Sequence, residues 1–370
     1  DIQLQWKTML EQASDYDLDE IRKLYVKHSN VIGTTCVASA NKQFMDNYPT
    51  FDVVIIDEVS KATPPELLLP MLKGSKIILV GDHHQLPPLI GDETFEETLE
   101  QVIKDSNTFE QKRELEKLLE ESLFERLYKV VPNTNKTMLA IQYRMHENIM
   151  KTIAPFYKNA NEELQCGLPD SDAARDHLLE TSLFDRSNHL LWIDVPNESP
   201  YFEERMQGGS SLFNDAELKQ IRNMLIKLNE ATANAKSQGL RDDDSLKSIG
   251  VISFYAEQVK RINRMIEQEL QLPHLHIRTG SVDKFQGMEM DVIIVSMVRN
   301  NNGHGDIGFA KDYRRLNVAL SRARELLICI GSTEMFTKKA KKQETRDMYA
   351  HVVEEVKRQA GYRNMEAIEA

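Results

Sequence analysis

Short aliphatic runs spaced between polar, helix-length stretches give the chain its rhythm. The runs at 31–32, 53–56, 77–80, 138–141, 190–193, 249–253, 292–297 and 326–330 each predict a strand. Several are followed by segments with helical spacing, the alternation that builds an open parallel sheet. The first thirty residues read as a helical lead-in, with Leu4, Met9, Leu10, Ile21, Leu24 and Tyr25 at helical intervals. The last thirty read as a charged helix whose buried stripe is Met348, Val352, Val353 and Val356. Residues 156–188 are polar and irregular, and 229–244 reads as a flexible loop containing Gly239 and three consecutive aspartates.

These signals divide the chain into a helical lead-in over 1–30, an α/β unit over 31–135, a second over 136–337 and a C-terminal helix over 338–370. The first unit carries a charged helical insertion at 95–128 that has no strand signal. Pro132-Asn133-Thr134-Asn135 is the linker expected between the units, since proline and asparagine favour turns over continued helix. There is no short internal repeat.

The run at 53–56 ends abruptly in Asp57 and Glu58, and the run at 77–80 ends in Gly81, Asp82 and, shortly after, Gln85. An apolar run that stops at carboxylates predicts a buried parallel strand whose carboxyl end carries the acids into a crevice. Two such ends side by side would present acids and an amide to one place. Nucleotide hydrolysis uses such groups to hold Mg²⁺ and to orient the attacking water. The same pattern also fits acids that merely cap the following turns.

Composition bounds these readings. The chain has 370 residues, enough for two cores, and its net charge of −12 lowers the odds of a nucleic-acid partner. The acids are unevenly placed, however, and 299–324 is locally basic, so one face could still attract phosphates. Cys36, Cys166 and Cys329 are scattered and form no metal-ligand spacing, which suits a reducing compartment, cytoplasmic or nuclear. No apolar run approaches the length of a bilayer span. His83 and His84 sit in a turn without further ligands, so a metal pair is not expected there.

The second half adds Gln142-Tyr143-Arg144, then Ser281-Val282-Asp283-Lys284-Phe285-Gln286-Gly287 before Glu289, then 314–324 with helical periodicity. On that helix Arg315, Ala319 and Arg322 would share one face, with Leu316, Leu320 and Ala323 on the buried one. Arginine's fixed charge and fork of donors suit a transferring phosphoryl group; an exposed basic surface is the competing reading. Tyr255 fits a strand-to-helix turn, in core or against nucleic acid, and Phe285 fits the core.

Together, Asp57-Glu58-x-Ser60, Gly81-Asp82-x-x-Gln85-Leu86-x-Pro88, Gln142-Tyr143-Arg144-Met145-His146, Ser281 to Glu289 and Arg314 to Arg324 resemble motifs II to VI of superfamily 1 helicases. The wording is most similar to the 5′→3′ branch, of up-frameshift, Sen1 and Dna2 type. Ser122 to Leu127 and Val31 to Cys36 resemble further segments of that branch. The resemblance implies tandem RecA-like, P-loop NTPase parallel-sheet domains, the first incomplete. It implies that Asp57 coordinates Mg²⁺, that Glu58 is the base toward water, and that Gln85 senses the γ-phosphate of ATP. Tyr143 would stack on the nucleotide base, and Arg144 and Arg322 would meet the γ-phosphate. Gln286 and Gly287 would lie along the phosphates, and Glu289 would bond the ribose. Thr34, Thr35, Ser281 and Asp283 would line a path for single-stranded DNA or RNA.

One element is missing: no Gly-x-x-x-x-Gly-Lys-Ser/Thr occurs in these residues. The loop that cradles phosphates and its lysine are therefore not here. The expected function is the C-terminal part of an ATP-dependent helicase or translocase, with no hydrolysis by this chain alone. The alternative is a non-catalytic nucleic-acid-binding or protein-interaction module that keeps the fold.

Overall fold

The computed structural model describes residues 2–12, 14–48, 50–88, 122–158, 163–303 and 305–369, which divide into two compact units. One runs through Gly81 and takes in Pro88 and 122–126; the other holds Asp82–Pro87 and all that follows Leu127. The division falls inside a helix, Leu123–Val130, rather than at the turn of Pro132 to Asn135. The rest of the expected helical insertion lies outside the described residues.

The first unit begins with helices Ile2–Glu11 and Asp15–Lys27, on which Trp6, Met9, Leu24 and Tyr25 are exposed. Strands β1 (Phe51–Ile56) and β2 (Gly74–Leu79) pair in parallel. Between them runs helix Pro64–Met71, started by a capping box in which Thr63 and Glu66 satisfy each other's ends. Ile56, Val59, Leu67 and Phe124 form this unit's small core.

The second unit contains the short pair β3 (Ile141–Gln142) and β4 (Gln165–Cys166), then β5 (Leu190–Asp194) and the antiparallel pair β6 (Glu204–Arg205) and β7 (Leu212–Phe213). It continues with β8 (Lys247–Ser253), β9 (Leu275–Ser281), β10 (Met290–Ser296), β11 (Ala323–Gly331) and β12 (Tyr362–Asn364). Six of these form one wholly parallel sheet in the order β12-β5-β11-β10-β8-β9. Successive residues of a strand face opposite sides. Accordingly Trp192, Ile293, Val295 and Leu327 pack into one layer, with helices Glu147–Ile153, Tyr313–Leu320 and Gln343–Arg358. Leu191, Ile193, Ile294 and Ile328 pack into the other, with helix Asp215–Ser237. Coverage on both faces is why these strands read as unbroken apolar runs.

Three readings change. Residues 229–237 are helical, not loop, because Leu228, Ala231, Thr232 and Ala235 bury one face of helix Asp215–Ser237. The run at 31–32 is not a strand, and the C-terminal helix stops at Arg358, after which β12 adds an edge to the sheet. The helix read over 314–324 ends at Leu320, so Arg322 lies in the turn before β11 and Ala323 is already strand. Among the described residues no helix is long and apolar enough to cross a membrane.

Candidate functional site

β1 delivers Asp57 and Glu58 at its carboxyl end, both exposed. Asp57 Oδ1 accepts the Glu58 backbone N–H at 2.9 Å, and Glu58 stands at φ 55°, ψ 35°. A non-glycine residue in the left-handed region is uncommon and concentrates where function needs the strain. The turn is held by strand-end bonds, Val59 N to Val80 O at 3.1 Å and Val80 N to Ile56 O at 2.8 Å. Gly81 is required beside it, since a Cβ there would lie 2.6 Å from Val59. In the same unit Thr34 and Thr35 are exposed, and Thr35 Oγ1 accepts the Ala38 N–H at 3.2 Å.

The segment that follows Gly81 belongs to the second unit. Leu86 is in that unit's core. Asp82 Oδ2 accepts from Gln85 Nε2 at 2.8 Å and from Tyr157 Oη at 2.6 Å, while Oδ1 accepts the His84 N–H at 2.9 Å. Asn317 Nδ2 donates to Tyr157 Oη at 2.7 Å and to His84 O at 2.9 Å. Gln85 is therefore fixed by residues of the second unit, which its place in sequence did not suggest.

Three separate segments meet at the amino ends of β10 and β11. Arg144 Nε pairs with Glu289 Oε2 at 2.8 Å. Arg322, buried to 1 % exposure, donates from Nε to Val318 O at 3.0 Å, from Nη1 to Met288 O at 3.2 Å and from Nη2 to Ser321 Oγ at 2.8 Å. Arg315 points elsewhere, against the Phe309 ring and 4.0 Å from Asp312, so it does not share a face with Arg322. Gln286 is buried with its Nε2 unpartnered, and Gly287 beside it takes φ 80° with open space around it. A buried amide N–H without an acceptor is costly, and a nucleotide oxygen would satisfy it. The chemistry of these residues suits a nucleotide phosphate; in the other unit, exposed Asp57 is a carboxylate of the kind that holds Mg²⁺.

The loop bearing Tyr143 and Arg144 is shaped from behind. Gln142 Oε1 accepts the N–H groups of Arg144 and Met145, each at 2.9 Å. Arg175 donates to Arg144 O and Tyr143 O, each at 2.6 Å. Tyr143 stays 60 % exposed, its ring lying over Gly167, where a Cβ would come within 2.4 Å. Arg175 has no sequence signature, because its partners are more than thirty positions away in a stretch of polar loop.

At the carboxyl edge of the sheet, Ser253, Ser281 and Ser296 stand in register. Ser281 leads into the single turn Val282–Phe285, and Asp283 Oδ1 is buried without a partner. Phe285, fully buried, lies against Gly250 and Gly280, whose absent Cβ atoms would fall 2.7 and 3.2 Å from its ring. Residues 282–289 therefore cross one face of the sheet and join the Ser281 end to the Gln286 end. Tyr255 is buried at the head of helix Ala256–Glu269, and its hydroxyl meets Arg299 Nη1 at 3.3 Å. Nearby Val298 adopts φ 65°, held by Glu217, whose buried carboxyl is pushed up to about 8 and stays protonated near neutrality.

Among the described residues one group could gather ligands for a metal: His146, Asp172 and His189. His146 Nδ1 accepts the Asn148 N–H at 3.1 Å, so its proton sits on Nε2 and goes to Asp172 Oδ1 at 2.8 Å. The His146 and His189 rings stack at 3.4 Å and 6°, and both Nε2 atoms face Asp172 Oδ1, at 2.8 and 3.9 Å. The cluster is held by that stack, by the His146–Asp172 hydrogen bond and by His189 Nδ1 against Glu325 O at 2.7 Å. Burial and the His189 ring lower His146 to about 4; burial lowers His177 to about 3 and also depresses His189. A base depressed in the folded state contributes stability that is complete above pH 6.5 and is lost as pH falls through its folded pKa. Urea unfolding should therefore show stability falling from pH 6.5 toward 4, by about 1.4 kcal/mol per pH unit for each proton taken up on unfolding. His189→Asn should flatten that fall; an unchanged slope would place its source elsewhere.

The chain's similarities agree with this geometry. Residues 119–334 match a family model described as an AAA domain, and 4–93 match a second with the same description. DNA polymerase alpha-associated DNA helicase A of Saccharomyces cerevisiae is 30% identical over 89% of this chain and 46% of its own length. A regulator of nonsense transcripts 1 homolog of Arabidopsis thaliana is 34% identical over 84% of this chain and 22% of its length. Helicase sen1 of Schizosaccharomyces pombe is 30% identical over 85% and 16%. The chain spans less than half the length of each of these relatives.

Proposed function

Because the chain belongs to the superfamily 1 helicases of up-frameshift and Sen1 type, we propose that it is the C-terminal part of an ATP-dependent helicase. The observation that carries the reading is the meeting of Arg144, Gln286, Glu289 and Arg322 from three segments at one edge of the parallel sheet. In this reading Asp57 would hold Mg²⁺, which would supply positive charge to the phosphates, and Glu58 would take a proton from the attacking water. Gln85 Oε1 accepts a hydrogen bond from that water, its Nε2 being engaged by Asp82. Tyr143, exposed, offers its ring to the nucleotide base. Arg144, paired with Glu289 at 2.8 Å, would meet the γ-phosphate, and Glu289 would bond the ribose. Arg322 supplies a rigid fork of positive charge where phosphoryl oxygens gain charge in the transition state.

Thr34, Thr35, Ser281 and Asp283 are the residues proposed to lie along a single-stranded nucleic acid, with hydroxyl and backbone contacts to its phosphates. The chemistry serves DNA and RNA alike. Backbone tracking should make binding tolerant of sequence and weaker as salt rises. A fluorescence titration of single strands of differing sequence from 50 to 200 mM salt checks this. Binding that ignores salt, or prefers one sequence strongly, contradicts the proposed groove. Strand displacement by the intact parent tests the function itself: ATP-dependent unwinding supports it, and displacement unaffected by omission of ATP rejects it.

A further inference from the structure

We propose that Tyr157 is a positioning residue for ATP hydrolysis, acting through Asp82 to fix the orientation of Gln85. The inference rests on the role proposed for Gln85 above. Asp82 is the hub: one carboxylate oxygen receives both the Tyr157 hydroxyl and the Gln85 amide N–H, at 2.6 and 2.8 Å. A glutamine amide has one donor end and one acceptor end. With Nε2 committed to Asp82, Oε1 is the end left to face a substrate water, and it can only accept from it. A glutamine flipped the other way would offer N–H groups to the water and compete for the lone pair that attacks phosphorus.

Tyr157 is suited to hold the hub in one state. Burial and the Asp82 charge raise its pKa well above the ordinary value, so it remains a donor at every working pH. Its own oxygen accepts from Asn317 Nδ2, and that same amide ties down His84 O. The hydroxyl, accepting from Asn317, is thus aimed at Asp82. Asn317 lies on helix Tyr313–Leu320, which runs directly into Ser321 and Arg322. The residue proposed to place water and the residue proposed to stabilise the phosphoryl group are set from one helix end.

The test uses the intact parent enzyme and single-strand-stimulated phosphate release. Tyr157→Phe keeps the ring and deletes only the hydroxyl; kcat should fall on the order of 10- to 100-fold, as for a misplaced reacting group. KM for ATP and the Kd for single strands should stay within about twofold, because neither contact is touched. In a Gln85→Ala background the same substitution should cost almost nothing, since the group it positions is gone. If Tyr157→Phe proves unstable, Asn317→Ser, which removes the donor to Tyr157 Oη, should show a smaller loss that also vanishes in the Gln85→Ala background. Unchanged kcat in Tyr157→Phe, or an equal loss with and without Gln85, overturns this inference while leaving the function intact. Absence of turnover in the wild type overturns both.

Discussion

Arg322→Ala in the intact parent enzyme lowers kcat on the order of 10³-fold and leaves ATP affinity much less changed, the low end for loss of an arginine aimed at a transferring phosphoryl group. The structure adds a second consequence. Arg322 is buried and donates to Val318 O, Met288 O and Ser321 Oγ, so its loss removes three hydrogen bonds, although Val318 O keeps Ser321 Oγ as a donor at 3.3 Å. A hydrogen bond from a charged group is worth about 1.5–3 kcal/mol, and the melting temperature should fall as well. Arg322→Lys separates the effects: one ammonium can satisfy a carbonyl and recover part of the stability, yet it cannot reproduce the planar fork. Arg315→Ala is the control, because Arg315 lies against Phe309 and Asp312 and away from Met288. Steady-state phosphate release with thermal melting reads both. Equal, modest losses at Arg315 and Arg322 would mean a basic surface, with Arg144 the next candidate.

Glu58→Gln should cost on the order of 10²- to 10⁴-fold in kcat, the range for removing a general base. Glutamine preserves the shape of the turn, in which the Glu58 backbone N–H, and not its side chain, bonds Asp57. Nucleotide binding and folding should therefore survive, and the variant should retain ATP on the single strand without releasing phosphate. A fluorescent ATP analogue measures binding and a phosphate sensor measures turnover. If Glu58→Gln lost binding as severely as turnover, Glu58 would be a metal or nucleotide ligand and not the base.

The parts that were legible are those where one physical demand dominates a short stretch. β5, β8, β10 and β11 are covered on both faces, so their residues must be apolar in succession, and each could be read directly. β9 gives no apolar run because it lies at the edge, where exposed His276 and Arg278 alternate with Leu275, Ile277 and Thr279. Helix 215–237 was cut short because Ala, Thr and Asn between lysines resemble loop in composition. Only the i, i+3 and i+4 spacing of Leu228, Ala231, Thr232 and Ala235 reveals the buried face.

The same contrast holds in the site. Asp57, Glu58, Gln85 and Arg144 can be singled out as candidates from sequence because strand ends and motif wording mark them. The surroundings of Arg322 were misjudged, since helical periodicity continues through Ser321 and Arg322 although the backbone has already turned toward β11. Tyr157 and Arg175 carry no local sign at all. Tyr157 meets Asp82 across 75 positions and Arg175 meets Arg144 across 31, and such pairings exist only once the chain has folded.

The most direct measurement of the central claim is steady-state phosphate release by the intact parent with an unstructured single strand, run beside these 370 residues alone. The account predicts strand-stimulated turnover by the parent, roughly 1 to 10³ s⁻¹ as for ordinary enzymes. It predicts none above the Glu58→Gln background for the 370 residues, which hold no phosphate-cradling Gly-x-x-x-x-Gly-Lys-Ser/Thr loop. Parental turnover that ignores the strand, or equal turnover by the 370 residues alone, would contradict it.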